Sequence, residues 1–335
     1  MDAARIGFIG CGKFAAAAIY PSLRFAQLDL AAVCSRQAAK AETAARTFGA
    51  RRWYTDYREM LEREDLDGVI CITGGNQHTI AMDVLARGIP VFIEKPPAPD
   101  LAGARALCEA AELSGRWVQV GFMKRFCPSY RRAREIIQRA EEFGKPTHVL
   151  GKFAGGSWTA DPWDFAIGMT IHFADLFRFL LGEVEEVTAY MNAEGGSVTI
   201  DAVLRFMSGS VGVLTSGEHL DWHGHDERLE VTGQGAQVIV DNHVQVTYYP
   251  PLREDCPDTD VRPAQVWSPG YTAVGEANNA LFLLGYVQEI RHFAECLRTG
   301  GSPEVTAADG YEAMRICKAL VESGGRPLKL AEHGQ

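Results

Sequence analysis

The chain has 335 residues, 47% hydrophobic and 23% charged, a length and balance expected of a globular protein of about two domains. Its formal charge of −10 argues against nucleic acid as a main partner, because phosphate backbones need a basic surface, although one local basic pocket for a single phosphate stays compatible. The longest uncharged stretch near the N-terminus, Phe14 to Leu23, is alanine-rich, contains Pro21 and is too short to span a bilayer, so a soluble, cytoplasmic protein with no membrane partner is expected.

In chain order, short apolar runs at 5–10, 30–34, 68–72, 91–94 and 118–121 read as strands. Between them, residues 38–48, 57–63, 78–87 and 101–113 are rich in alanine and other helix formers. Apolar strands alternating with helices of this length call for a parallel sheet covered on both faces. Gly49, Gly88 and Gly115 each follow a helix pattern where a left-handed cap is wanted, and Pro21 should kink or split the first helix. Beyond residue 122 the pattern changes. Helices are expected at 128–140 and 170–181, the second closed by Gly182, around a strand at 147–154. Strands then follow at 187–192, 198–206, 210–216, 228–232, 237–240 and 244–249 with turn residues between them, which predicts a mainly antiparallel sheet. Residues 250–269, rich in proline and acids, read as a surface excursion, and helices at 286–298 and 308–322 close the chain.

Eight cysteines, at 11, 34, 71, 108, 127, 256, 296 and 317, contain no Cys-x-x-Cys pair. Cys34, Cys71, Cys108 and Cys317 lie inside apolar runs, where cysteine behaves as a small hydrophobe, so reduced and mostly buried thiols are expected.

The first strand runs into Gly10-Cys11-Gly12-Lys13-Phe14-Ala15. Gly10 permits a tight turn, Gly12 lets backbone approach a pyrophosphate, and Ala15 allows the following helix to pack closely; the helix start offers free N–H groups to the anion. This predicts a Rossmann dinucleotide site. The second strand ends Val33-Cys34-Ser35-Arg36, with Lys40 one turn on, and carries no carboxylate for the ribose hydroxyls. Ser35 and Arg36 suit a 2′-phosphate, so NADP is expected over NAD. The strand at 91–94 leads into Glu94-Lys95-Pro96-Pro97 at the carboxyl edge of the sheet, where ligands bind. A lysine there can hydrogen-bond a substrate hydroxyl, and Pro96 can fix the turn through a cis bond.

These motifs, with Gly121-Phe122-Met123-Lys124-Arg125-Phe126, His172-x-x-Asp175 opening a helix that ends Leu180-Leu181-Gly182, and the two closing helices, resemble the glucose–fructose oxidoreductase / inositol dehydrogenase (Gfo/Idh/MocA) family over nearly the whole chain. The resemblance implies an α/β chain with an N-terminal Rossmann domain (1–122) and a C-terminal α/β domain (123–335) holding a large, mainly antiparallel open sheet, with the C-terminal helices packing back on the Rossmann domain. It implies a homodimer or homotetramer formed through that sheet, and hydride exchange between NAD(P) and a sugar, cyclitol or similar polyol. The family's lysine falls on Lys95. Its catalytic histidine falls on His172, and neutral imidazole suits a general base.

The chain departs from the family in three places. An acidic residue is usual four positions before the histidine and a glycine two before it, where this chain has Gly168 and Thr170; Asp161 or Asp164 is the expected replacement acid. The loop after the third expected strand reads Thr73-Gly74-Gly75-Asn76-Gln77-His78 rather than starting Pro-Asn, with His78 expected on the nicotinamide side. The NAD-type aspartate is missing. Lys124 and Arg125 are expected to face the crevice, and Trp158 and Trp163 have faces suited to sugar C–H surfaces, with Asp161, Asp164 and Asp175 as further substrate contacts. His219, His223 and His225 fit no single helix face and are read as loop or substrate contacts rather than a metal site. Two other functions compete with a sugar-type enzyme: reduction of a non-sugar carbonyl or imine, and a non-catalytic dinucleotide sensor.

Overall fold

The computed structural model describes residues 3–218, 224–251, 264–269 and 280–330. Contacts divide the chain into two compact units, Met1–Met123 with Gly285–Glu312, and Lys124–Leu284 with Ala313–Gln335.

The first unit is built on a parallel sheet of β1 (Ala4–Ile9), β2 (Leu28–Cys34), β3 (Arg52–Tyr54), β4 (Gly68–Cys71), β5 (Val91–Glu94) and β6 (Val118–Gly121), in the order β3-β2-β1-β4-β5-β6. Strands such as β4 are buried along their whole length, as a sheet covered on both faces requires. The helices Ala38–Phe48 and Leu101–Ser114 end at Gly49 and Gly115 with φ of 78° and 62°, the left-handed caps expected there. Asp56 and Asp100 cap the starts of the helices Tyr57–Arg63 and Leu101–Ser114 by accepting from the backbone N–H of Arg58 (2.9 Å) and Gly103 (2.7 Å). Pro21 does disturb the first helix. Lacking an N–H, it follows a π-helical turn, Ala15–Ile19, and stands in the first turn of the short helix Tyr20–Leu23. The helix Tyr286–Thr299 belongs to this unit, and Phe293 meets the rings of Phe92 and Trp117 edge-on at 5.9 and 5.6 Å.

Among the described residues the second unit carries nine strands: β7 (His148–Ala154), β8 (Val184–Asn192), β9 (Thr199–Phe206), β10 (Val211–Gly217), β11 (Asp226–Thr232), β12 (Gln237–Asp241), β13 (Gln245–Tyr249), β14 (Gln265–Trp267) and β15 (Leu328–Lys329). Their order is β14-β13-β12-β11-β7-β10-β9-β8-β15. Every pairing is antiparallel except β7 with β10. In β9 the burial alternates, with Ile200, Ala202, Leu204 and Phe206 inward and Asp201, Val203 and Arg205 outward, so one face builds the core. On that face a Cβ on Gly151 of β7 would lie 2.7 Å from both Phe173 and Phe177, so the bare glycine lets the helix Ile171–Leu181 press against the sheet.

Three sequence expectations need correction. The helix at 170–181 is the end of a longer helical run that begins with Pro162–Phe165 and passes through a π-helical turn, Ala166–Thr170. The helix expected to reach 140 stops at Ile137, and a separate turn of helix spans Ala140–Phe143. The excursion at 250–269 returns to the sheet as β14, paired with β13; its residues 252–263 lie outside the described residues.

Candidate active site

The turn after β1 is shaped by what its glycines lack. Gly10 has φ +115°, and a Cβ there would lie 2.0 Å from the carbonyl oxygen of Ile72, so any side chain would drive β1 from β4. A Cβ on Gly12 would meet nothing within 4 Å. That open space belongs to a cavity of about 630 Å³ at the carboxyl ends of β1, β2 and β4, lined by Ile9, Gly10, Cys11, Gly12, Cys34, Ser35, Arg36, Lys40, Ile72, Thr73 and Gly74 among others. The helix opens there, with Ala16 N–H donating to Gly12 O at 3.0 Å. The room over Gly12 beside a helix start fits the pyrophosphate of a dinucleotide. Tyr20 braces the turn from beneath: its hydroxyl donates to Gly10 O at 3.2 Å and lies 3.5 Å from Cys11 Sγ, and its ring stacks between Phe8 and Phe48. Burial raises the Cys11 thiol pKa.

Eight expected cofactor residues line this cavity, namely Gly10, Cys11, Gly12, Ser35, Arg36, Lys40, Thr73 and Gly74. The lining does not include Lys13, Phe14, Ala15, His78, Glu94, Lys95 or Pro96. Ala15 is buried, Lys13 is exposed, and Phe14 is 42% exposed with its ring edge-on to Tyr286. The sequence reading missed as cofactor residues Thr55 and Asp56, in the turn after β3, and Tyr57 and Arg58, at the start of the helix Tyr57–Arg63, all of which line the cavity. The β3 strand itself was unread, so nothing in the sequence brought the turn at Thr55 and Asp56, or the start of the following helix, to the cofactor.

At the carboxyl end of β5, the Lys95–Pro96 peptide is cis. Gln77, buried at 8% exposure, donates its side-chain amide to the carbonyls of Glu94 (2.5 Å) and Pro96 (2.7 Å), the residues on either side of Lys95. The Lys95 turn is therefore pinned by a residue that the sequence offered only as part of a loop. The Glu94 carboxylate packs on Gly121, where a Cβ would lie 2.9 Å from its Cδ. Burial pushes its pKa up to about 7 against the opposing charge of Lys95. His78 Nε2 lies 3.2 Å from Thr79 Oγ1.

In the second unit His172 is 8% exposed, near the start of the helix Ile171–Leu181, with its ring edge-on to Phe153 at 6.0 Å. Lys124 and Arg125 do not face an open crevice as expected. Lys124, 1% exposed, pairs with Glu227, lies 2.6 Å from His243 Nε2 and 4.6 Å above the Phe153 ring. Glu227 also accepts from the Tyr130 hydroxyl. Burial, with the Lys124 charge, holds the His243 imidazole far below its usual pKa, and burial lowers Lys124 despite Glu227. Arg125 and Asp175 form a buried bidentate pair at 2.8 and 2.6 Å, so Asp175 faces its arginine. Position after a strand suggested exposure to both basic residues; the acids that draw them inward lie 50 and 103 residues away in sequence.

Asp161 caps the helix Pro162–Phe165 by accepting from Asp164 N–H at 2.8 Å through Oδ1, and both Asp161 and Asp164, the acids expected to replace the family acid, are exposed. Trp163 is half-buried and Trp158 is 56% exposed. The ring of His225 lies 5.1 Å from that of Phe153, whereas His219 and His223 lie outside the described residues. Among the described residues no helix is long and apolar enough to cross a membrane, and the seven described cysteines are unpaired.

A parallel sheet with a ligand cradle at its glycine turn defines a dinucleotide-binding protein, and comparison with known proteins extends this to its chemistry. Residues 4–122 match the family model described as an oxidoreductase family with an NAD-binding Rossmann fold, and residues 130–239 match the GFO/IDH/MocA C-terminal domain. The protein is a nicotinamide-dinucleotide oxidoreductase. It is 30% identical over 312 residues to scyllo-inositol 2-dehydrogenase (NAD(+)) of Bacillus subtilis, covering 87% of this chain and 85% of that one. It is 26% identical to myo-inositol 2-dehydrogenase of Thermotoga maritima, covering 98% and 99%. The crystal structure of a dehydrogenase from Chromobacterium violaceum shares the fold with a TM-score of 0.87, at 22% identity over 96% of each chain. The chain belongs to the Gfo/Idh/MocA oxidoreductase family, as its motifs suggested.

Two outcomes follow from these burials. Asp175→Asn strands the Arg125 charge and should lower unfolding free energy by about 3–5 kcal/mol in a denaturant titration; a variant as stable as wild type with a raised substrate KM would return Asp175 to substrate binding. Glu94 is ordinarily near 4.5 and is raised in the fold, so its stabilising contribution is full below pH 4.5 and is lost as pH climbs to about 7. Glu94→Gln should therefore melt close to wild type at pH 4.5 and higher at pH 8, by up to about 3 kcal/mol in stability; a difference independent of pH would contradict the assignment.

Proposed function

We propose that this enzyme moves a hydride between the nicotinamide of NAD(P) and a carbinol or carbonyl carbon of a sugar, cyclitol or related polyol. One observation carries the reading: the Lys95 turn follows β5 at the same carboxyl edge of the parallel sheet where the glycine cradle opens after β1. The named activities of the two inositol dehydrogenase relatives support the substrate class.

Bound at the cradle, the dinucleotide supplies the hydride acceptor or donor at nicotinamide C4. Lys95, pinned through Gln77, orients the substrate oxygen and stabilises the charge that develops on it. His172 takes the hydroxyl proton during oxidation and returns it during reduction. NADP is the preferred form. Ser35, Arg36, Lys40 and Arg58 line the cavity, and the carboxylate beside them, Asp56, already accepts from Arg58 N–H as a helix cap. Arg58 is drawn to Asp83 at 2.9 Å, which leaves the Arg36 and Lys40 side chains for a 2′-phosphate. The enzyme works in the cytoplasm, in keeping with the unpaired thiols among its described residues. It assembles as a homodimer or homotetramer through the outer face of the large sheet, where Tyr190, Val203, Val211 and Val266 are exposed.

By fluorescence titration, NADPH should bind about tenfold more tightly than NADH, and Arg36→Ala should erase the difference; equal wild-type affinities would sink the NADP assignment. Lys95→Ala should bind cofactor within about twofold of wild type while kcat/KM falls by about 10²–10⁴. Undiminished turnover would remove Lys95 from the chemistry.

A further inference from the structure

Gly168 stands in the π-helical turn Ala166–Thr170, four residues before His172 in one helical run. A Cβ built on it would lie 2.5 Å from both Cη2 and Cζ2 of Trp158, far inside any real contact. The benzo edge of the indole is thus seated against bare backbone, and the rest of the ring is left to solvent at 56% exposure. The loop that presents it is held tightly. Glu218, only 4% exposed, accepts from the backbone N–H groups of Trp158 (2.7 Å), Thr159 (3.2 Å) and Val198 (3.0 Å), and Ser157 Oγ donates to Gly196 O (3.2 Å). A buried carboxylate is costly unless its oxygens are satisfied. Here they are satisfied by fixing a loop whose largest side chain remains open to water. An indole fixed in this way loses little further freedom when a ligand lies on it.

We propose that Trp158, seated in the notch at Gly168, is a stacking platform that makes the enzyme select ring-shaped polyols presenting a face of C–H bonds over acyclic ones. The proposal rests on the sugar-type oxidoreductase reading above. Gly168 is a specificity determinant because any side chain there would unseat the ring. It also leaves no room for a carboxylate beside His172 from that position.

The test is steady-state kinetics of wild type, Trp158→Ala, Trp158→Phe, Gly168→Ala and the double alanine variant. Each is assayed with myo-inositol and D-glucose as ring probes and xylitol as the acyclic probe, with NAD and NADP. Trp158→Ala and Gly168→Ala should each raise KM for the ring probe about tenfold, with a smaller effect on kcat, and Trp158→Phe should recover most of the loss. Gly168→Ala favours helix, so its loss of affinity would not reflect unfolding. The double variant should be no worse than either single one, since the added methyl acts only through the ring. An unchanged ring-probe KM in Trp158→Ala, or additive losses in the double variant, would overturn the platform. A wild type that oxidises xylitol but neither ring compound would overturn the platform and leave the dehydrogenase reading standing. Inactivity on all probes would count against both.

Discussion

A Cβ on Gly10 would sit 2.0 Å from the carbonyl oxygen of Ile72, and much of the first unit follows from that proximity. Adjacent parallel strands β1 and β4 leave the sheet side by side, while the next strand after β1 in sequence, β2, lies on the other side. The chain therefore parts at their carboxyl ends and leaves a crevice. Only a residue without a side chain can turn away from β1 there. The helix start, the Thr73–Gly74 loop and the Ser35–Arg36 corner all open on the same space because the turn is that tight.

The second unit meets a different constraint. Three consecutive residues, Met123, Lys124 and Arg125, start a 3₁₀ turn. Its two cations are drawn inward, Lys124 to Glu227 on β11 and Arg125 to Asp175 on the helix that carries His172. Buried ion pairs seldom stabilise more than an apolar equivalent, but breaking one is expensive. Their effect here is to fix where β11 and the His172 helix stand relative to the turn. The Phe153 ring lies between this charged cluster and His172, with Lys124 4.6 Å above it and His172 at its edge.

Most strands and helices were legible because burial on both faces writes long apolar runs, and a half-buried sheet writes alternation. β3 escaped because Arg52 and Trp53 are exposed and only Tyr54 is buried, too little for either pattern. The glycine turn and Lys95 were legible because their chemistry depends on residue type and spacing. Gln77 was not, since its amide serves two backbone carbonyls and any loop glutamine looks the same in sequence. Lys124, Arg125 and Asp175 misled for a related reason: a charged residue declares its charge but not the direction of its partner. Gly168 read as a loss, because the tryptophan that fills its place arrives from a loop ten residues upstream.

Cys11 lies inside the phosphate turn, where a negative charge would repel the ligand. Its thiol, raised by burial and set beside the Tyr20 hydroxyl, keeps its proton at neutral pH. A cysteine can therefore stand against a pyrophosphate as an uncharged sulfur. The same retained proton makes it a poor nucleophile, so peroxide and alkylating agents would find this thiol a slow target despite its place at the mouth of the cavity.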